Sequence, residues 1–145
     1  NMLESMIALA AFIPIIIGMG GNIGTQSSTI IVRGMATGRI EIGNEFKVLL
    51  KELRVGLILG VLYGIMLGIF ANFKFLGSDP MLGAVVGLSI CSSMLLATAV
   101  GTFTPLILRK LDIDPAVATG PFVTTSIDIL GVLLYFMIAG LLLTL

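Results

Sequence analysis

The 145 residues are 57% hydrophobic and 11% charged, with a mean hydropathy of +1.16, which excludes a water-soluble globule and leaves an integral membrane protein as the class. Formal net charge is zero, histidine and tryptophan are absent and cysteine occurs once. Nothing therefore points to nucleic acid, a disulfide framework, a zinc or copper site, or histidine-based catalysis.

Length allows one domain. The chain opens at Asn1 without an initiator Met or a basic leader, so residues 1–145 read as the transmembrane piece of a longer protein. Four apolar segments, each exceeding the ~20 residues needed to cross a bilayer, predict an all-α polytopic bundle of four membrane-spanning helices. The first runs from about Glu4 to Val32. Its first half, "MIALAAFIPIII", suits lipid. Its second half, "GMGGNIGTQSSTI" (Gly18 to Ile30), holds glycines, an amide pair and hydroxyls, although no charge interrupts Ser5 to Val32. Lipid solvates such groups poorly, so another protein surface or a wet path must face them. Read as helix, Gly18, Asn22 and Gln26 align at a spacing of four, with Thr25 and Thr29 alongside. A nucleotide loop is ruled out, because Gly18 and Gly20 would require glycine where Ile23 stands and no Gly-Lys-Ser/Thr follows.

A polar connection, "RGMATGRIEIGNEF", leads into the amphipathic run "EFKVLLKELR", for which Asn44 is a candidate N-cap, and then into a second span, Val55 to Phe73. Gly56, Gly60, Gly64 and Gly68 recur at every fourth position of that span. Such a ridge admits a neighbouring backbone at close range, and Gly83 and Gly87 repeat it in the third span, Met81 to Leu108. The fourth span is Pro115 to Leu145. Asp79-Pro80 and Asp114-Pro115 each read as an N-cap followed by proline at the first helical position. Pro14 and Pro105 fall inside apolar runs and predict kinks. Cys91 reads as a small packing residue. Of the 8 basic residues, Arg33, Arg39, Lys47, Lys51 and Arg54 lie in the first connection, Arg109 and Lys110 in the third, and Lys74 alone in the second. The positive-inside rule places connections 33–54 and 109–114 in the cytoplasm of a multi-pass protein of the cell membrane.

Asp128 is the acidic residue that lies deep in a span, fourteenth of the 31 residues from Pro115 to Leu145. Such a placement costs about 2.5–3.5 kcal/mol on insertion scales, and no basic residue lies deep enough to pair with it. One solution is a protonated carboxyl bonded to a neighbouring helix. The other is a cation path or proton site, favoured because Gly120, Thr124 and Asp128 fall at a spacing of four along one helical face. The ligand inventory is oxygen: the Asp128 carboxylate, the Asn22 and Gln26 amides, threonine hydroxyls and carbonyls. Oxygen ligands select hard cations. One carboxylate per chain is too few for a dehydrating cage. Two, facing each other across the axis of a symmetric dimer, repel by on the order of 2 kcal/mol at ~8 Å and an effective dielectric of ~20, and a divalent cation between them relieves that repulsion. Mg²⁺ keeps its waters, which Asn22, Thr124 and backbone carbonyls can accept. The residues thus lead to a divalent-cation pore in a dimer. An enzyme lacks its nucleophile–base pair here. A passive channel, a proton- or sodium-coupled transporter in which Asp128 exchanges a proton for metal, and an assembly subunit all remain open.

Three stretches carry a resemblance: "PIIIGMGGNIGTQSSTIIVRGMATG" from Pro14 to Gly38, "LRVGLILG", and "DPAVATGPFVTTSIDILGVLLYF" from Asp114 to Phe136. Together they resemble the membrane domain of the MgtE family of magnesium channels and transporters, along essentially the whole chain. The resemblance implies a five-helix membrane domain of which these residues supply helices two to five. It also implies a homodimer whose ion path runs along the subunit interface, lined by spans one and four, with Mg²⁺ for cargo; discrimination among Mg²⁺, Mn²⁺ and Co²⁺ is not encoded in these motifs. It assigns the family's intramembrane aspartate to Asp128 and the asparagine of its Gly-Gly-Asn motif to Asn22. Gly21 and Gln26 stand beside that asparagine, and backbone groups around Gly120 and Thr124 complete a water-mediated site. The family's first membrane helix and its cytosolic Mg²⁺-sensing domains, which close the pore when internal Mg²⁺ is high, are not among these residues.

Overall fold

The computed structural model describes residues 2–40, 43–75 and 80–143, and for residues 2–6 and 119 it describes the backbone alone. Four long helices carry the chain back and forth: α1 (Met2–Ala36), α2 (Glu45–Lys74), α3 (Leu82–Lys110) and α4 (Pro121–Leu142). All four are long and apolar enough to cross a membrane. The amphipathic run before the second span is continuous with it, so α2 begins at Glu45, ten residues ahead of the expected Val55. Pro14 and Pro105 lie inside α1 and α3, each of which continues through its proline.

The ends follow local chemistry with some departures. Asn44 occupies the N-cap position of α2, but its side chain makes no capping hydrogen bond. Asp79 lies outside the described residues. Met81 is the N-cap of α3, and Asn72 of α2 supplies the missing acceptor, its Oδ1 taking the Gly83 N–H at 3.0 Å. At the end of α1, Gly38 adopts φ +71°. That left-handed cap returns the chain so that the Arg39 and Ile40 N–H groups donate to the Gly34 carbonyl at 2.9 and 3.1 Å.

The expected continuous fourth span is broken. Pro115–Thr119 forms a 3₁₀ turn, started by Asp114, whose Oδ1 accepts the Ala116 N–H at 2.9 Å. Gly120 is then extended, at φ −114° and ψ −156°, before α4 starts at Pro121. The cause is local: a proline ring disfavours helical dihedrals in the residue before it.

Helix α3 is central and touches every other element, whereas α2 packs chiefly on α3. Glycine explains how closely. A Cβ placed at Gly64 would sit 2.6 Å from the Gly87 carbonyl oxygen, and one at Gly68 would sit 2.7 Å from that of Gly83. The glycines of α2 and α3 therefore meet backbone to backbone, in the arrangement that the spacing predicts. Cys91 packs against Gly60 and Gly64 in this seam. On the other side of α3, Phe12, Ile16 and Ile23 of α1 and Val123, Ile127 and Tyr135 of α4 join Val85, Val86, Ile90 and Met94 in one core. The buried Tyr135 hydroxyl donates to the Leu9 carbonyl at 2.8 Å, fastening α4 to α1. The first and third connections share one end of the bundle. There the Arg109 guanidinium donates to the Ile40 carbonyl at 3.2 Å and Lys110 pairs with Glu45 at 3.4 Å.

Gly64→Ala is expected to cost about 1–3 kcal/mol through overpacking. Gly140→Ala, at a position with nothing within 4 Å of the added carbon, should be neutral or gain up to about 1 kcal/mol of helix propensity. Thermal unfolding midpoints in detergent compare the two, and equal midpoints would dispose of the backbone seam.

Candidate functional site

The second half of α1 is a helix with three faces. Gly20 and Gly24 face inward. A Cβ at Gly20 would meet Ser93 at 3.2 Å and Ile127 at 3.3 Å, and Gly24 lies against Ile127 and the Ala97 carbonyl. Ser27 and Ser28 also turn inward and are buried. The Ser28 hydroxyl donates to the Ala118 carbonyl at 2.8 Å, and the Ser27 hydroxyl donates to Glu52 Oε2 at 3.1 Å. These residues close the helix onto its neighbours.

The remaining polar residues share the outer face. Gly18, Gly21, Asn22, Thr25, Gln26 and Thr29 form one wall of a groove of about 700 Å³, and Thr124 and Asp128 of α4 form the other. All of its lining comes from α1 and α4. Asn22, Gln26 and Thr29 are exposed, while Thr124 and Asp128 are half-buried. The Asp128 carboxylate lies over Gly21, where an added Cβ would stand 3.6 Å from Oδ1. Glycine there opens the space beside the carboxylate. Among the described residues no hydrogen bond or ion pair engages Asp128, and no three His, Cys, Asp or Glu side chains gather into a metal-binding cluster.

Thr124 donates its hydroxyl proton to the Pro121 carbonyl at 3.1 Å, and Thr29 donates to the Thr25 carbonyl at 2.8 Å. With those protons spent on their own helices, both oxygens present lone pairs to the groove. The wall is thus acceptor-rich and carries one potential anion. At ~30 Å³ per water molecule, the groove has room for roughly twenty waters. An ion can occupy it together with its hydration shell.

Asn22, Gly21, Gln26, Thr124 and Asp128 therefore line one groove, and Gly120 does not. With the helix starting only at Pro121, Gly120 loses its alignment with Thr124. It is absent from the groove lining, and its carbonyl accepts the Val123 N–H at 3.2 Å as the start of α4. Two residues enter that were not singled out for chemistry. Arg33 lines the groove at its end, about 18 Å along α1 from Gly21 at 1.5 Å per residue. The steps 18, 22, 26, 29 and 33 of the helical repeat carry that signal. Glu52 is 7% exposed. Its signal is the step of four to Gly56, which places it on the packed face of α2.

Residues 13–138 match the MgtE family profile, described as a divalent cation transporter. The chain is 38% identical over 143 residues, 99% of its length, to "Magnesium transporter MgtE" of Thermus thermophilus. It is 36% identical over 137 residues, 94% of its length, to the protein of the same name from Bacillus subtilis. The chain spans 31% and 30% of those two relatives.

Proposed function

The chain belongs to the MgtE family of divalent cation transporters, and from that premise we propose that two copies form a Mg²⁺ path through the membrane, with the hydrated ion held between paired Asp128 carboxylates. The observation that carries this reading is the α1–α4 groove. It lies on the outside of the single chain, gathers amide, hydroxyl and carboxyl groups, and holds a carboxylate that has no internal partner among the described residues.

In lipid that surface is unfavourable. Asp128 alone costs about 2.5–3.5 kcal/mol, and the exposed amides of Asn22 and Gln26 lose their water. A second copy placed groove to groove removes the lipid and keeps the water. It also brings two carboxylates together, so that each raises the other's energy unless a cation intervenes. Mg²⁺ suits the pair because it resists dehydration and is bound through its waters. Asn22, Gln26 and Thr124 then act as acceptors for those waters, Gly21 leaves them room, and Asp128 supplies the charge. The backbone at Gly120 lies one turn before Thr124 and contributes by starting α4. The membrane potential drives a divalent ion inward by about 4.6 kcal/mol per 100 mV, twice the single-charge value.

The test is Mg²⁺ flux into vesicles carrying the full-length protein. Asp128→Asn should lower it by about thirtyfold or more, equivalent to ~2 kcal/mol of lost ion stabilisation, with dimer content unchanged. Normal flux in that variant would remove the site. Flux that continues without any proton or sodium gradient supports a channel, and flux tied strictly to proton movement supports exchange at Asp128. Asn22→Leu should cost less, about fivefold for one lost acceptor worth ~1 kcal/mol. Damage equal to that of Asp128→Asn would move the selective step to the Gly18–Gln26 stretch.

A further inference from the structure

Arg33 belongs to two cavities. One is the groove. The other, of about 560 Å³, lies at the same end of the bundle between the last turn of α1, the returning chain after it and the first turns of α2. Arg33, Arg39, Lys51 and Glu52 supply its charges, and Ile30, Ile31 and Val48 form an apolar side.

Packing fixes these walls. Ile40 is buried with Ile31 and Leu106 and lies against Gly34. The two N–H donations to the Gly34 carbonyl, and that of Arg109 to the Ile40 carbonyl, hold the segment bearing Arg39 against α1 and α3. Glu52 is turned toward Ser27 and already accepts its hydroxyl. Among the described residues none of the three cations takes part in an ion pair, the pair present at this end being Lys110 with Glu45. Among the described residues the lining therefore carries three positive charges against one negative, at the end of the bundle where seven of the 8 basic residues collect.

We propose that this cavity binds a phosphate-bearing anion, either the headgroup of an anionic phospholipid or free phosphate. Guanidinium groups match phosphate oxygens in pairs, and basic pockets between helices at the membrane surface hold anionic headgroups. The apolar side offered by Ile30 and Val48 gives a lipid's glycerol and first methylenes a place to lie. Binding has a consequence for the groove that rests on the conduction reading above. An anion between Arg33 and Arg39 draws the Arg33 charge away from the groove mouth and lowers the positive potential that an entering or leaving cation meets.

Full-length protein in nanodiscs tests the site with two probes: phosphatidylglycerol added to phosphatidylcholine and followed by native mass spectrometry, and inorganic phosphate added to phosphatidylcholine discs and followed by calorimetry. Arg39→Gln with Lys51→Gln should weaken binding of one probe by about thirtyfold. Lys47→Gln with Arg54→Gln, which removes the same charge outside the cavity, should leave it within about twofold. Which probe responds identifies the source of the phosphate. Absence of saturable binding for both probes, or equal losses in the two double variants, overturns the proposal. Mg²⁺ flux unaffected by a probe that binds would overturn the link through Arg33 alone, and loss of flux in the Asp128 variant has no bearing on binding.

Discussion

A carboxylate at the middle of a hydrophobic helix has to be neutralised, hydrated or paired, and most features of this chain can be ordered around how Asp128 meets that demand. The four helices offer it no partner of their own among the described residues. Instead α1 and α4 set it in a groove where nearby amide and hydroxyl oxygens offer lone pairs. Acceptors do not neutralise a carboxylate. They favour water and, with water, a cation. On the proposed reading the protein therefore contributes a solvated cavity that holds a charge, and the second subunit contributes the wall that lipid cannot.

Such a cavity needs a rigid frame, because the helices that line it have given up much of their apolar surface. The glycine seams supply that frame. Gly64 and Gly68 meet Gly87 and Gly83, and Gly101 of α3 meets the backbone of Gly24 in α1. At these contacts dispersion between closely apposed backbones replaces the interlocking of large side chains. Helix α3 is thereby packed on both sides and leaves the outer faces of α1 and α4 free to be polar. The side-chain bond from Ser28 to Ala118 ties α1 to the 3₁₀ turn ahead of α4, and that from Tyr135 to Leu9 ties α4 to α1.

Charge is distributed with the same economy. The carboxylate lies over Gly21, toward one end of the groove, and the Arg33 guanidinium lies at the other, where the positive connections gather. On the proposed reading a cation passing along this face would meet attraction at one end and repulsion at the other, and an anion drawing Arg33 toward the neighbouring basic cavity would change that profile. The buried Glu52 accepts the Ser27 hydroxyl and ties the first turns of α2 to α1 beside the basic cavity.

Much of this was legible in the residues alone. Hydropathy set the number of spans, since each stretch had only lipid to match it, and periodicity set which glycines form a seam. Asn22, Gln26, Thr124 and Asp128 could be grouped because lipid excludes them all for the same reason. Arg33 and Glu52 were present in the same periodicities but were masked by their charge, which suggests solvent when read along the chain. The break at Gly120 was encoded in Pro121, yet a spacing of four concealed it, because residue intervals presuppose the helix they are used to detect.

Other features depended on three dimensions. Whether Ser27 and Ser28 face a wet path or a neighbouring helix depends on how α1 is rotated about its axis, and the contacts with Glu52 and Ala118 fix that rotation. The sequence by itself determined how many helices there are, which groups lipid rejects and where the charges collect, because transfer into hydrocarbon is a property of each residue. Tertiary structure alone decided which of those groups share a cavity, because that depends on how closely backbones approach at glycine and on which side of each helix the approach occurs.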